Sequence, residues 1–404
     1  MKYIPTIGGT KTVIKEAAAQ GLIQRKTETR YREYNRRKVL VIVLAAAAVV
    51  LGSIVALGLG SASLSPVDVL EVLFGGGDRR SAQIIFHIRM PRVLASVIAG
   101  MGLAVAGCIM QNVLQNPLAS DYTLGISQGA AFGAAVAILA LGAGSVNAAG
   151  ASSDSFLITN PYLVTVSAFA GAMTATLTIL LLARYRGMSP EAMILAGVAM
   201  GSLFSAGVVL AQYFATDVQV ASIVFWTFGD VGRASWRELA IMAAVTLPCI
   251  GFFILKRWDY NSLSGGDDTA RSLGLNVVRT RMAGMFLAAL VTATAVSFLG
   301  IMAFVGLVAP HLMRRIIGSD YRYLIPASAF SGALLLLVSD TFSRTIIAPV
   351  VLPVGAITSV MGAPLFIYLL MRGYGKPAAR CVARKPAGEY DGPESGGSKI
   401  EKEG

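Results

Sequence analysis

Residues 30–60 read RYREYNRRKVLVIVLAAAAVVLGSIVALGLG: a basic run ending at Lys38, then an uncharged apolar stretch over residues 39–60. A helix needs roughly 20 apolar residues to cross a hydrocarbon core of about 30 Å, so this stretch is long enough to span a membrane. The arginines and lysine before it mark its cytoplasmic side. The rest of the chain has the same character. Residues of the AVILMFWYC class make up 55%, charged residues only 14%, and mean hydropathy is +0.66, whereas a soluble chain carries roughly 25% charged residues. A length of 404 residues would otherwise suggest two or three soluble domains; this composition predicts an all-α polytopic membrane protein instead, since apolar runs of this length satisfy their backbone groups in lipid as helices.

Cutting the chain at its polar breaks gives ten predicted spans: residues 39–60, 93–114, 124–144, 162–183, 192–214, 239–255, 282–300, 301–317, 324–339 and 353–371. The eighth and ninth are short and rich in Gly and Pro, and fusing them would leave nine. With both termini inside, 27 of the 34 Lys and Arg residues fall on cytoplasmic segments and 7 on outer loops, the asymmetry expected of a cytoplasmic-membrane protein. The formal net charge of +12 thereby becomes a topological signal. It does not point to nucleic acid, because the charge lies in short stretches between apolar blocks and not over a basic surface.

Three regions follow: a basic cytoplasmic extension over residues 1–38, a transmembrane domain over 39–372 and a polar tail over 373–404. The extension has no apolar run of its own, so a cleavable signal peptide is not expected. The tail is rich in Gly, Pro and Ser and lacks periodicity, the composition of a disordered segment. Cys108 and Cys249 lie in apolar blocks and Cys381 in the tail, which argues against a disulfide framework. With His87 and His311 the only histidines and no Cys-x-x-Cys, no metal centre or resident cofactor is expected.

Glycines cluster inside the spans. Gly125, Gly129 and Gly133, and likewise Gly197 and Gly201, put small residues on one helix face, where backbones can approach closely. Ionisable groups inside the spans are scarce: Glu191 starts the fifth, His311 follows Pro310 in the eighth and Asp340 ends the ninth. An ion-coupled carrier needs acids or a polar broken helix at mid-membrane, so an ion-coupled secondary transporter is disfavoured. A membrane-embedded enzyme is disfavoured too, because the spans offer no clustered acids or histidines. No Gly-x-x-x-x-Gly-Lys-[Ser/Thr] is present, so nucleotide chemistry has to come from a partner.

Two loops stand out. The longest inner connection contains Gly265-Gly-Asp-Asp-Thr-Ala-Arg-Ser-Leu-Gly-Leu275, a short helix that Asp267 or Asp268 can cap and Gly274 can end. Such a helix either docks a soluble protein or rests on lipid headgroups. On the outer side, Arg89-Met-Pro-Arg92 sits at the mouth of the second span and Arg344 at the end of the ninth. These arginines either pair with carboxylates or snorkel to headgroups.

The ordered set Arg89-Met-Pro-Arg92, Gln115-Asn-Pro-Leu-Ala119, Leu124-Gly-Ile-Ser-Gln-Gly-Ala-Ala131, Ala270-Arg-Ser-Leu-Gly274, Phe304-Val-Gly-Leu-Val-Ala-Pro-His311, Leu352-Pro-Val-Gly355 and Gly362-Ala-Pro-Leu-Phe366 resembles the FecCD-type permeases of ABC importers for iron–siderophore chelates, haem and cobalamin. The resemblance covers about residues 89–372. It implies a ten-helix, type II importer permease that forms a homodimer, with the path at the dimer interface. Two ATP-binding-cassette ATPase subunits would dock from the cytoplasm and a substrate-binding protein from outside. By this resemblance Arg89, Arg92 and Arg344 receive the binding protein. Asp268, Thr269, Ala270, Arg271, Ser272, Leu273, Gly274 and Leu275 form the coupling helix that meets the ATPase. Asn116, Pro117 and Leu118, with Ser189 and Pro190, form cytoplasmic gates. The expected cargo is an iron chelate, with cobalamin or an oxyanion as the alternatives.

Overall fold

The computed structural model describes residues 8–60, 65–142, 160–348 and 350–371. Among them no strand occurs; the elements are helices α1 Gly8–Gly58, α2 Pro66–Leu73, α3 Arg79–Gln83, α4 Met90–Val113, α5 Ile126–Leu139, α6 Pro161–Tyr185, α7 Pro190–Phe214, α8 Asp217–Thr227, α9 Trp236–Leu255, α10 Arg257–Ser264, α11 Asp267–Ser272, α12 Val277–Leu299, α13 Val305–Ile317, α14 Tyr321–Thr345 and α15 Val354–Met371. A wide helical turn over Ile84–Arg89 joins α3 to α4. The tail over residues 373–404 lies outside the described residues, as does Cys381.

Each of the ten predicted spans has a helical counterpart. Among the described residues seven helical stretches are long and apolar enough to cross a membrane. The third, eighth and tenth spans correspond to the shorter helices α5, α13 and α15. The eighth and ninth do not fuse, because Gly318 at φ 86° ends α13 and the Asp320 side chain then caps α14 at Arg322 N. The eighth starts later than expected: residues 300–304 leave the helical path, with Gly300 at φ 82° and Phe304 at φ 66°. The basic extension enters the first span within one helix, α1. Helices α2, α3, α8 and α10 have no predicted counterpart, since each is too short or too polar to read as a span.

Burial separates a central layer from a peripheral one. The Arg79–Val113 stretch is 78% buried in its apolar window, whereas the α1 span is only 11% buried. Helices α12 and α14 pack on α4 at the centre, and α6, α7 and α9 lie outside. Lipid tails are as apolar as the core, so close packing is what holds such a bundle together. Glycine makes it possible: a Cβ on Gly107 would collide with the Gly306 carbonyl of α13, and one on Gly133 with the Ser167 carbonyl of α6. The predicted small-residue faces are used inside the chain. Gly129 lies against Gly171 O, where a Cβ would come within 2.7 Å, and Gly125 against Gly201 N, within 2.6 Å. Cys108 and Cys249 are buried free thiols.

Candidate functional site

Three features lie along the bundle: an arginine cluster at one end, a cavity at mid-depth and a helix-bearing loop at the other end. The first gathers the three arginines that the sequence singled out. Pro91 sits in the first turn of α4, and the three-residue spacing puts Arg89 and Arg92 on one face. Arg92 Nη2 lies 2.8 Å from Asp340 Oδ1 and 3.2 Å from Asp230 Oδ1. Arg344 Nε lies 3.1 Å from Asp340 Oδ2, one helical turn away. Arg89 donates to Leu57 O at 2.6 Å and Gly58 O at 3.0 Å. Arg344 donates to Leu59 O and Ala56 O, each at 3.2 Å. These two cations therefore satisfy the carbonyls at the C-terminus of α1, where the helix dipole also favours positive charge. A cavity of about 170 Å³ lies between the three guanidinium groups, Gly60 and Val351. The sequence had isolated the arginines. It missed Asp230 altogether and noted Asp340 only as a span-end acid; the Asp340–Arg344 spacing of four was the available signal.

At mid-depth a half-open cavity of about 440 Å³ is lined by Ser120, Tyr122, Thr123, Thr227 and Ser359 with Phe228 and Phe304. No lining residue is charged. Backbone bonds fix its wall where three segments meet: Asp230 N donates to Leu299 O at 2.7 Å, Val354 N to Gly229 O at 3.1 Å and Gly355 N to Phe228 O at 3.2 Å. Gly355 allows this approach, since a Cβ there would sit 2.5 Å from the carbonyls of both Ile301 and Phe228. Asp121, beside the lining residues, is buried and accepts from Ser127 Oγ at 2.7 Å. Nothing in the sequence pattern marked this cavity, because hydroxyl and aromatic residues on four separate segments carry no spacing signature. His311 is buried with its ring against Phe366. Among the described residues no three His, Cys, Asp or Glu side chains come together to hold a metal ion.

At the opposite end, α11 begins at Asp267, one residue before the predicted stretch, and Gly274 at φ 81° follows it. Neither aspartate caps it. Gly266 occupies the cap position, the Asp267 carboxylate is taken by Arg281, and the exposed Asp268 lies 4.0 Å from Arg271 Nη1. Ala270 is fully buried, whereas Leu273 is 68% exposed; Thr269, Arg271, Ser272 and Gly274 are exposed as well. The turns at 115–118 and 188–190 lie at this end too. Asn116 Oδ1 accepts from Leu118 N at 2.9 Å, and Ser189 caps α7 by accepting from Ala192 N at 3.3 Å. The sequence missed what joins them, the buried Arg281, which donates to Val113 O at 3.0 Å and Met188 O at 3.2 Å.

The same end carries an aromatic and charged anchor. Asp320 accepts from Arg322 Nη2 at 2.6 Å and Asn261 Nδ2 at 3.0 Å, and Lys38 Nζ lies 3.8 Å from it. Burial opposes ionisation of Asp320, but the Arg322 and Asn261 hydrogen bonds outweigh it and hold the pKa at about 2. Lys38 packs over the Tyr34 and Tyr323 rings and Arg322 over Trp258.

Residues 46–372 match the model of the FecCD transport family. The chain is 52% identical over 345 residues to a Methanocaldococcus jannaschii protein named as an ABC transporter permease, covering 85% of this chain and 98% of that one. It is 36% identical over 342 residues to the Fe(3+)-citrate import system permease protein of Bacillus subtilis, covering 83% and 96%. The fold is similar to a solved inward-facing conformation of a metal-chelate type ABC transporter, with TM-score 0.71, 28% identity and coverage of 82% and 99%.

Proposed function

The chain belongs to the FecCD transport family, and on that premise we propose that it is the permease subunit of an ATP-driven importer carrying an iron chelate across the cytoplasmic membrane. It is a transport subunit and not itself an enzyme; ATP would be hydrolysed by two partner ATPase subunits. The observation that carries this reading is the half-open, uncharged cavity at mid-depth. Hydroxyl and aromatic walls suit passage of a bulky chelate whose metal is already coordinated, because they offer contact without strong ligands that would hold the ion. In this reading the chain is a homodimer with the path between protomers, each copy contributing one such cavity wall.

In this reading both termini are cytoplasmic. The exposed face of α11 around Arg271 and Leu273 receives the ATPase, and the turns bearing Asn116, Pro117, Leu118, Ser189 and Pro190 gate the inner side. The cluster of Arg89, Arg92 and Arg344 receives an extracytoplasmic substrate-binding protein. Carboxylates of that protein would compete with the half-exposed Asp230 for Arg92. The tryptophan, tyrosines and arginine around Asp320 lie against lipid headgroups, where such rings are favoured.

The test is reconstitution. Proteoliposomes containing the chain, its ATPase subunits and its binding protein should accumulate radiolabelled ferric citrate only with ATP on the ATPase side. Accumulation driven by an ion gradient with the chain alone would overturn the proposal in favour of a secondary transporter.

A further inference from the structure

The inner-end loop is joined to the two turns through one ion pair. Arg281 Nη1 donates to Asp267 Oδ2 at 2.8 Å and Nη2 to Oδ1 at 2.6 Å, a bidentate pair that fixes orientation as well as distance. Arg281 is only 1% exposed. Its remaining hydrogen bonds go to the last residue of α4, Val113, and to Met188 just before α7. On the other side of the pair, Asp267 Oδ1 accepts from Gln115 Nε2 at 3.3 Å, and Gln115 also donates to Leu263 O at 3.3 Å.

The backbone at both attachment points is strained. Among the described residues only three non-glycine positions have a left-handed φ, and two of them are Gln115 at 48° and Met188 at 60°. Each lies two residues before a proline, Pro117 or Pro190, so neither turn can relax by extending a helix through that position. A side chain in this backbone region is unfavourable and persists where its surroundings hold it. Here one guanidinium and one carboxylate reach both turns.

We infer that the Asp267–Arg281 pair is the clasp through which movement of α11 is passed to the turns at 115–118 and 188–190, with Arg281 acting as a positioning residue for opening at this end. The inference rests on the reading that α11 receives the ATPase. A rigid bidentate pair transmits displacement of α11, and the left-handed backbone at Gln115 and Met188 depends on the contacts that hold it.

The test places a single reporter thiol at Leu118, which is 45% exposed, in the permease–ATPase complex with the native cysteines replaced. Maleimide labelling of Leu118→Cys is then measured with and without ATP trapped by vanadate. The expected result is at least a fivefold change in labelling rate on trapping. Asp267→Asn should abolish that change while copurification with the ATPase and the rate of ATP hydrolysis are retained, and Asp267→Glu should restore part of it. A trapped-state change that survives Asp267→Asn overturns the inference. So does a change lost only in parallel with assembly, or absent from the otherwise native complex. Failure of the native chain to copurify with any ATPase would instead overturn the underlying functional reading.

Discussion

Arg92 and Asp340, 248 positions apart in sequence, meet inside the bundle, with Arg92 Nε and Nη2 each 2.8 Å from the same carboxylate oxygen. Asp340 is 0% exposed and faces Arg344 on its other oxygen, so one buried anion stands between two cations. Removing one partner from a buried pair costs about 3–5 kcal/mol, because the other charge is left uncompensated. Asp340→Leu should lower the melting temperature of the detergent-solubilised protein by several degrees, whereas Asp340→Leu combined with Arg92→Leu should recover part of the loss. Equal loss in the single and double variants would show that the pair is not coupled.

The same cluster bears on partner capture. Asp230→Asn removes the half-exposed carboxylate that competes for Arg92 and leaves the buried Arg92–Asp340 pair intact, so it should strengthen binding of the substrate-binding protein severalfold at low salt, and the difference should shrink in 0.5 M salt as charges are screened. Surface plasmon resonance on nanodisc-embedded complex measures this. Unchanged low-salt affinity would leave the arginines with the internal roles already described, closing α1 and neutralising Asp340.

Packing by glycine predicts a contrast between two positions. A Cβ at Gly107 meets the Gly306 carbonyl, which is backbone and has no room to yield, whereas Gly251 in α9 has nothing within 4 Å. Gly107→Ala should therefore destabilise by several kcal/mol or prevent insertion. Gly251→Ala should be neutral or stabilising by up to about 1 kcal/mol, the difference in helix propensity. Expression yield and thermal unfolding in detergent distinguish the two.

On α11 the exposed and buried positions should separate function from folding. Leu273→Asp and Arg271→Asp alter exposed side chains and should reduce copurification with the ATPase severalfold at unchanged stability. Ala270 is fully buried, so Ala270→Asp should lower stability first. Normal copurification of Leu273→Asp would indicate that the loop meets lipid and not protein.

Asp320 predicts a pH dependence. Its folded pKa of about 2 lies below the ordinary value of 3.8, so its contribution is complete above pH 4 and is lost as pH falls through about 2. A tenfold change in an ionisation constant corresponds to about 1.4 kcal/mol, which makes the contribution on the order of 2 kcal/mol for this mostly buried side chain. The melting temperatures of the native protein and Asp320→Asn should differ by a constant amount from pH 7 to pH 5 and converge between pH 4 and pH 2. A gap that persists at pH 2 would mean that the Asn side chain is disfavoured for reasons other than charge.

The order of the helices was legible in the sequence because apolar runs between polar breaks fold as helices in lipid, and a run such as residues 39–60 also has the length the hydrocarbon core imposes; that α5, α13 and α15 fall short of that length was not. The exposed loop helix and the arginines Arg89, Arg92 and Arg344 were legible for a related reason, since each departs from a local expectation about loop composition or charge. Short elements were not. The break at residues 300–304 depends on Phe304 adopting a left-handed backbone, which no residue pattern demands, and α10 is too short and polar to separate from the loop around it.

What only the tertiary structure decided is where charges find partners. Arg281 read in sequence as one more basic residue on an inner loop, and Asp340 as an acid at the end of a span. Their partners Asp267 and Arg92 lie 14 and 248 positions away. Periodicity and composition describe what neighbours in the chain share, whereas a buried ion pair is chosen by which helix ends the packing brings within hydrogen-bonding reach. The sequence alone therefore determined a membrane bundle and its charge asymmetry, and folding determined which of those charges are committed inside it.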